Sequence, residues 1–231
     1  MNYKRMFDNM FPGFFNDPDI KKIPEEKIYA ELIMDLRKFR PKPSSYPCPD
    51  NITFGVYDSD IAKLKEAVGQ VDEEWIRYFG KKNRAFCAFD GDTVASFCIL
   101  EDWGMQDALL VGGPGCVGTV QAYRKRGIGL EMVRQATNLL IEEGFNLSWI
   151  HYTHLWHWYE KLGYQTVLKW NCRGFIPVFE NRRLSEYTCE DYIKDFELDY
   201  LGFDGISKRQ GESEKASGNQ ENQQMMEIKD S

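Results

Sequence analysis

The chain has 231 residues, 42% hydrophobic and 14% aromatic, enough to bury a core as one domain with extensions or as two small ones, which excludes disorder along the whole length. A formal charge of -7 excludes nucleic acid as the default partner, because displacing backbone counterions takes a concentrated basic surface. The acidic balance weakly favours cationic small molecules or basic peptides, although charge of this kind most often serves solubility alone.

The N-terminus, MNYKRMFDNMFPGFF, has aromatics but no uninterrupted apolar run followed by small residues, and no stretch reaches membrane-spanning length. The expected location is therefore cytoplasmic, with no membrane partner. Residues 24–39 put Ile28, Leu32, Leu36 and Phe39 at helical spacing after a Pro-Glu-Glu opening, which predicts an amphipathic helix within an N-terminal helical extension over 1–40. Four prolines and two serines in 41–50 predict a linker. A new unit is expected from Asn51.

From there strand and helix signals alternate. ITFGVY reads as a strand, the segment opened by Ser59 as a helix, and DEEWIRYF as a second helix with acidic first-turn residues. RAFCAF and TVASFCIL read as strands joined at Asp90-Gly91-Asp92, a hairpin signal because Asp-Gly readily takes positive φ. After GGPG, CVGTVQAY is a β-branched run. Gly127 to Glu143 is a long amphipathic helix with Leu130, Val133, Ala136 and Leu140 facing inward and Gly144 as cap. NLSWIHY is then a strand, LWHWYEKLG a short helix and YQTVLKWNC another strand. The order β-α-α-β-β-β-α-β-α-β predicts an α/β fold, a mixed sheet with helices on both faces, over residues 51–180. A C-terminal helical appendage is expected over 181–204, with Thr188 as N-cap, and a disordered polar tail over 205–231.

The six cysteines (Cys48, Cys87, Cys98, Cys116, Cys172 and Cys189) form no C-x-x-C pair, and several sit in apolar runs, which suits buried thiols in a reducing compartment. The sequons at Asn51 and Asn146 fall in expected strands and read as chance.

The chemistry concentrates after CVGTVQAY. Arg124-Lys125-Arg126-Gly127-Ile128-Gly129 lies between a strand and a long helix, where unpaired first-turn amides and the helix dipole favour an anion such as a diphosphate. Glycines at 127 and 129 let that ligand approach, while a solvated basic turn with a glycine cap explains the same residues without one. Gly118 costs roughly 0.5 to 1 kcal/mol relative to alanine in a β-favouring run. Such a glycine marks close approach by a ligand or another backbone, or else a bulge or tight sheet contact. Gly113-x-Gly115-x-x-Gly118 matches the dinucleotide fingerprint literally, but VGTVQAY is strand-like where that motif needs a helix, and no acidic residue follows at the ribose position.

Arg124-x-x-Gly127-x-Gly129 resembles the Q/R-x-x-G-x-G/A acetyl-CoA signature of the GNAT superfamily of N-acetyltransferases. Trp158-Tyr159-Glu160-Lys161-Leu162-Gly163-Tyr164 resembles the later F-Y-x-x-x-G-F stretch of that family, and the likeness covers about residues 51–172. It implies an acetyl-CoA-dependent acyltransferase in which a primary amine, of a small molecule or a peptide, attacks the thioester directly. Cofactor contacts would come from Val117, Gly118, Thr119, Val120, Arg124, Lys125, Arg126, Gly127, Ile128, Gly129 and Leu130, with backbone amides of 117–120 orienting the thioester. Tyr159 matches the family tyrosine that protonates the departing thiolate, although its place on an apolar helix face also suits a core residue. The family often carries an acidic residue on its fourth strand, and CVGTVQAY has none, so His151 and Glu101 stand as candidate bases. His151, His154 and His157 do not converge as metal ligands on this reading, so no metal is expected. A non-catalytic acyl-CoA-binding module is the alternative function, and a homodimer built through the extensions is compatible with either.

Overall fold

The computed structural model describes residues 1–44, 46–80 and 82–176. The appendage and tail expected beyond residue 180 lie outside the described residues.

Helix α1 (Tyr3–Met10) opens at Asn2, whose side chain accepts from the Arg5 amide, and a one-turn helix α2 (Pro18–Lys21) follows under an Asp17 cap. The helix expected over 24–39 is absent. Its centre is strand β1 (Tyr29–Asp35), in which Ala30 through Asp35 are all buried. β1 lies between two antiparallel partners, β6 (Leu147–Thr153) and β7 (Gln165–Asn171). A strand covered on both faces loses the polar alternation that identifies strands, and its apolar residues then fall at helical intervals by coincidence.

The described residues of the 41–50 segment hold no helix or strand, and the chain then begins β2 (Ile52–Val56) at the far edge of the sheet. Helix α3 (Ile61–Gly69) follows, capped by Asp60 rather than Ser59, with the Asp60 side chain accepting from the Ala62 amide. DEEWIRYF forms a 3-10 turn over Glu73–Tyr78. Strands β3 (Arg84–Asp90) and β4 (Thr93–Gln106) form the expected hairpin, with Gly91 at φ 58°. Strand β5 (Leu109–Thr119) stops short of the expected end, and Gln121–Tyr123 turns as 3-10 helix before α4 (Ile128–Glu142). The short helix α5 (Trp156–Glu160) separates β6 from β7, and β8 (Gly174–Phe175) closes the chain's described part.

The eight strands form one mixed sheet in the order β2-β3-β4-β5-β6-β1-β7-β8, with helices on both faces. On one face α4 reaches Ser96 and Thr119 through Gly129, and Ser148 through Thr137 and Tyr164. The opposite face carries two apolar clusters. Leu64 and Val68 of α3 pack with Phe97, Ile99 and Val120, and Met6 and Phe7 of α1 pack with Ile33, Val111 and Trp149.

Candidate active site

The parallel strands β5 and β6 are in register only at Val111–Leu147 and Gly112–Ser148, although both continue for several residues. Past Gly112 the two strands part. A Cβ at Gly113 would stand 1.9 Å from the Trp149 carbonyl oxygen, so the fork is closed by direct backbone contact. Just beyond it β5 bulges. Ile99 pairs with Gly115 and Phe97 with Gly118, leaving Cys116 and Val117 without register partners on β4. Cys116 has φ 46°, an uncommon conformation for a residue with a Cβ, and bulges of this kind re-aim the chain beside functional sites.

The residues expected to hold a cofactor divide into two groups. Among the described residues, the amides of Gly127, Ile128 and Gly129 donate to no protein group, and α4 has no side-chain N-cap. Gly127, at φ 70°, turns the chain into the helix. Unpaired first-turn amides of this kind favour an anion in general. The other residues serve the protein itself. Val120 donates its amide to the Ala95 carbonyl (3.0 Å) and buries its side chain in the α3 cluster, so it is not a thioester donor. Gly118 makes room for the Phe97 ring, whose nearest atom would lie 2.4 Å from an added Cβ, rather than for a ligand. Gly129 lacks a side chain because Thr119 Oγ1 occupies that space, and Thr119 in turn pairs with Ser96 Oγ at 3.0 Å. Leu130 is core.

Of the three cations, Arg124 donates from Nε to the Thr119 carbonyl (3.0 Å) and ties the turn to the end of β5. Arg126 lies over the Tyr123 ring, and Lys125 holds φ 61°. The proline-rich segment crosses this corner. The Pro47 and Tyr46 carbonyls lie against Gly127, Lys161 Nζ donates to Tyr46 Oη (3.1 Å), and the Lys42 amide donates to the Leu162 carbonyl (2.8 Å).

Tyr159 is buried on α5, edge-on to Trp158 at 4.8 Å, with Tyr164 at 6.3 Å. The Tyr164 hydroxyl joins Thr137 Oγ1 (2.8 Å) and Ser148 Oγ (2.7 Å), linking α4 to β6 beside the fork, and burial pushes it up to about 12.

Glu101 and His151 stand on the other face, between the α1 and α3 clusters. His151 lies on β6, which borders the fork, and Glu101 on β4, one strand further away beyond β5. Glu101 Oε1 would lie 3.2 Å from a Cβ at Gly115, at the start of the bulge. Burial raises the Glu101 carboxyl above its usual range, and the His151 ring acts on it in the opposite sense. His151 stacks on Phe11 at 3.7 Å and 9°, and its Nδ1 lies 3.0 Å from Glu31 Oε2. Glu31, which the sequence did not single out, is fully buried. Its Oε2 accepts from Trp149 Nε1 (2.7 Å), and its Oε1 from Trp170 Nε1 (2.8 Å) and the Tyr152 amide (3.2 Å). The three histidines diverge. His157 accepts from Trp156 Nε1 and meets Glu160, while burial lowers His154 to about 4.

Residues 56–164 match the model of the acetyltransferase (GNAT) family. Among solved structures, a GCN5-related glucosamine N-acetyltransferase region of a fungal multi-domain β-N-acetylglucosaminidase is 22% identical with a TM-score of 0.52, covering 64% of this chain and 21% of that one. A GCN5-related N-acetyltransferase from Kribbella flavida is 18% identical with a TM-score of 0.42, covering 61% and 55%. The chain thus spans about a fifth of the first protein and about half of the second. No curated protein matches the chain. No helix among the described residues is long and apolar enough to cross a membrane.

Proposed function

We propose that the protein, whose residues 56–164 match the GNAT acetyltransferase family model, moves an acetyl group from acetyl-CoA to a primary amine of a small molecule or peptide by direct attack. One observation carries this reading: β5 runs on past its last pairing with β6 at Gly112–Ser148 to Thr119, which packs against the start of α4, where the amides of Gly127, Ile128 and Gly129 have no partner among the described residues. Acetyl-CoA supplies a thioester with a diphosphate-bearing, amide-containing tail. The amides of Gly127, Ile128 and Gly129 suit the diphosphate, and the free edge of β5 at Cys116 and Val117 suits the pantetheine amides. The Val117 amide is the candidate donor to oxygen charge developing at the thioester carbonyl.

Transfer forms an N–C bond and breaks a C–S bond. The incoming ammonium gives up two protons in all. One passes to His151 or Glu101 and on to solvent. The other replaces, through solvent, the proton that Tyr159 gives to the leaving sulfur. Tyr159 belongs to the helix-α4 face and the two candidate bases to the opposite face, so the parted strands separate donor chemistry from acceptor chemistry. The five described cysteines are free thiols, in keeping with a cytoplasmic setting.

The test is calorimetric titration with CoA and acetyl-CoA, followed by thiol release with a panel of amines that includes amino acids, polyamines, peptide N-termini and glucosamine. Binding and turnover are expected, with Tyr159→Phe slowing release by about 10²-fold while CoA affinity holds. Binding without turnover across the panel would favour an acyl-CoA-binding module, and absence of binding would end both readings.

A further inference from the structure

We propose that Glu31 is a positioning residue for this transfer: it holds the His151 proton on Nδ1 and leaves Nε2 as the acceptor for the amine proton. The inference rests on the acyl-transfer reading and deepens it, because Glu31 lies outside residues 56–164 and so makes β1 part of the active site.

The argument is one of donors and acceptors. Four groups meet the Glu31 carboxylate, and three of them, the Trp149 and Trp170 indole nitrogens and the Tyr152 amide, can only donate. The fourth is His151 Nδ1. A carboxylate that three obligate donors already engage is best matched by a fourth donor, so the proton between Glu31 and His151 belongs on Nδ1. A neutral imidazole then has its lone pair on Nε2. His151 Nε2 has no hydrogen-bond partner among the described residues, and none of their buried polar side-chain atoms lacks a partner, so Nε2 opens to solvent.

Both neighbouring strands are shaped around Glu31. Between Ala30 and Leu32 of β1, the register on β6 runs from Thr153 to Ile150, which places an extra residue opposite Glu31. On β7 the register steps from Leu168 at Glu31 to Thr166 at Leu32, a second irregularity at the same point. Tyr152, at φ 54°, turns its amide onto Glu31 within the first of these. Phe11 lies flat on the imidazole and restrains its rotation. The charged groups that face His151 are Glu31 from β1 and Glu101 from β4, so a cationic amine approaching Nε2 meets the Glu101 carboxyl on the same side of the sheet.

Two measurements on the full chain decide the matter. Ring nitrogen shifts of 15N-labelled protein at alkaline pH are expected to show His151 protonated at Nδ1, with a pyridine-type Nε2. Glu31→Gln should move the ring toward the other tautomer and cut kcat by roughly 10²- to 10⁴-fold with little change in either KM. A wild-type His151 protonated at Nε2, or a folded Glu31→Gln variant with kcat within about twofold of wild type, overturns the proposal. If Glu31→Gln does not fold, the wild-type ring spectrum decides alone. A wild type that turns over no amine removes the acyl-transfer reading and the catalytic use of the pair with it. An unchanged kcat in Glu31→Gln removes only the role of Glu31.

Discussion

Gly113 on β5 and Trp149 on β6 touch through their backbones, so closely that a methyl group on Gly113 would stand 1.9 Å from the Trp149 carbonyl oxygen. That contact sits at the point where the two strands stop pairing, and it sets the position of Trp149, whose indole anchors Glu31. Gly113→Ala should therefore force the fork apart. A loss of about 1 to 3 kcal/mol in urea unfolding is expected, as for overpacked cores, together with weaker CoA binding. A variant as stable as wild type would mean that the strands can separate freely here.

Gly127→Ala meets two obstacles, a φ of 70° and the carbonyl oxygens of Pro47 and Tyr46 at 2.8 and 3.0 Å from the new Cβ. The left-handed conformation alone costs roughly 1 to 2 kcal/mol with a side chain. Gly144, at φ 85° past the other end of α4, has nothing within 4 Å of its Cβ position and gives a matched control. Gly127→Ala should lose more stability than Gly144→Ala, because it alone also meets the two carbonyls, and it alone should lose CoA affinity by calorimetry. Equal CoA affinity in the two variants would detach the α4 start from the cofactor.

The elements after Asn51 were readable because their signals are local. Asp-Gly at a hairpin, apolar residues along one face of α4 and glycine beyond its end each act within a few residues. β1 was not readable, because the feature that makes it a strand, pairing with β6 on one side and β7 on the other, depends on residues more than a hundred positions away. Glu31 shares that fate. Its partners Trp149, His151 and Trp170 come from β6 and β7, and a lone glutamate among Ala30, Leu32 and Ile33 reads as the polar side of a helix. Gly118 and Gly129 were noticed for the right geometric reason, close approach, but the neighbours turned out to be Phe97 and Thr119.

His154 gives a stability test in acid. Burial is the main cause that lowers it from 6.5 to about 4, with Lys27 adding to the effect. Between those values the unfolded chain binds a proton that the folded protein refuses, so stability falls as pH drops from about 6.5 to 4, by roughly 3 kcal/mol at most. Replacing the titrating ring in His154→Gln should flatten this part of the melting-temperature profile relative to wild type. A variant profile parallel to wild type would show that the ring is protonated equally in both states.

Glu101 carries the opposite sign. Burial raises its carboxyl and His151 only partly offsets this, so the folded protein holds the proton to higher pH than the unfolded chain does. Stability contributed here is greatest below the unfolded value and declines as pH rises through the folded one. Glu101→Gln should therefore be more stable than wild type at neutral pH, with the gap closing in acid. If His151 is the base and Glu101 serves chiefly to attract the ammonium, the same variant raises KM for the amine while kcat changes only severalfold. A collapse of kcat with KM unchanged would instead make Glu101 the proton acceptor, and the pH at which the wild-type rate falls would then follow the raised carboxyl.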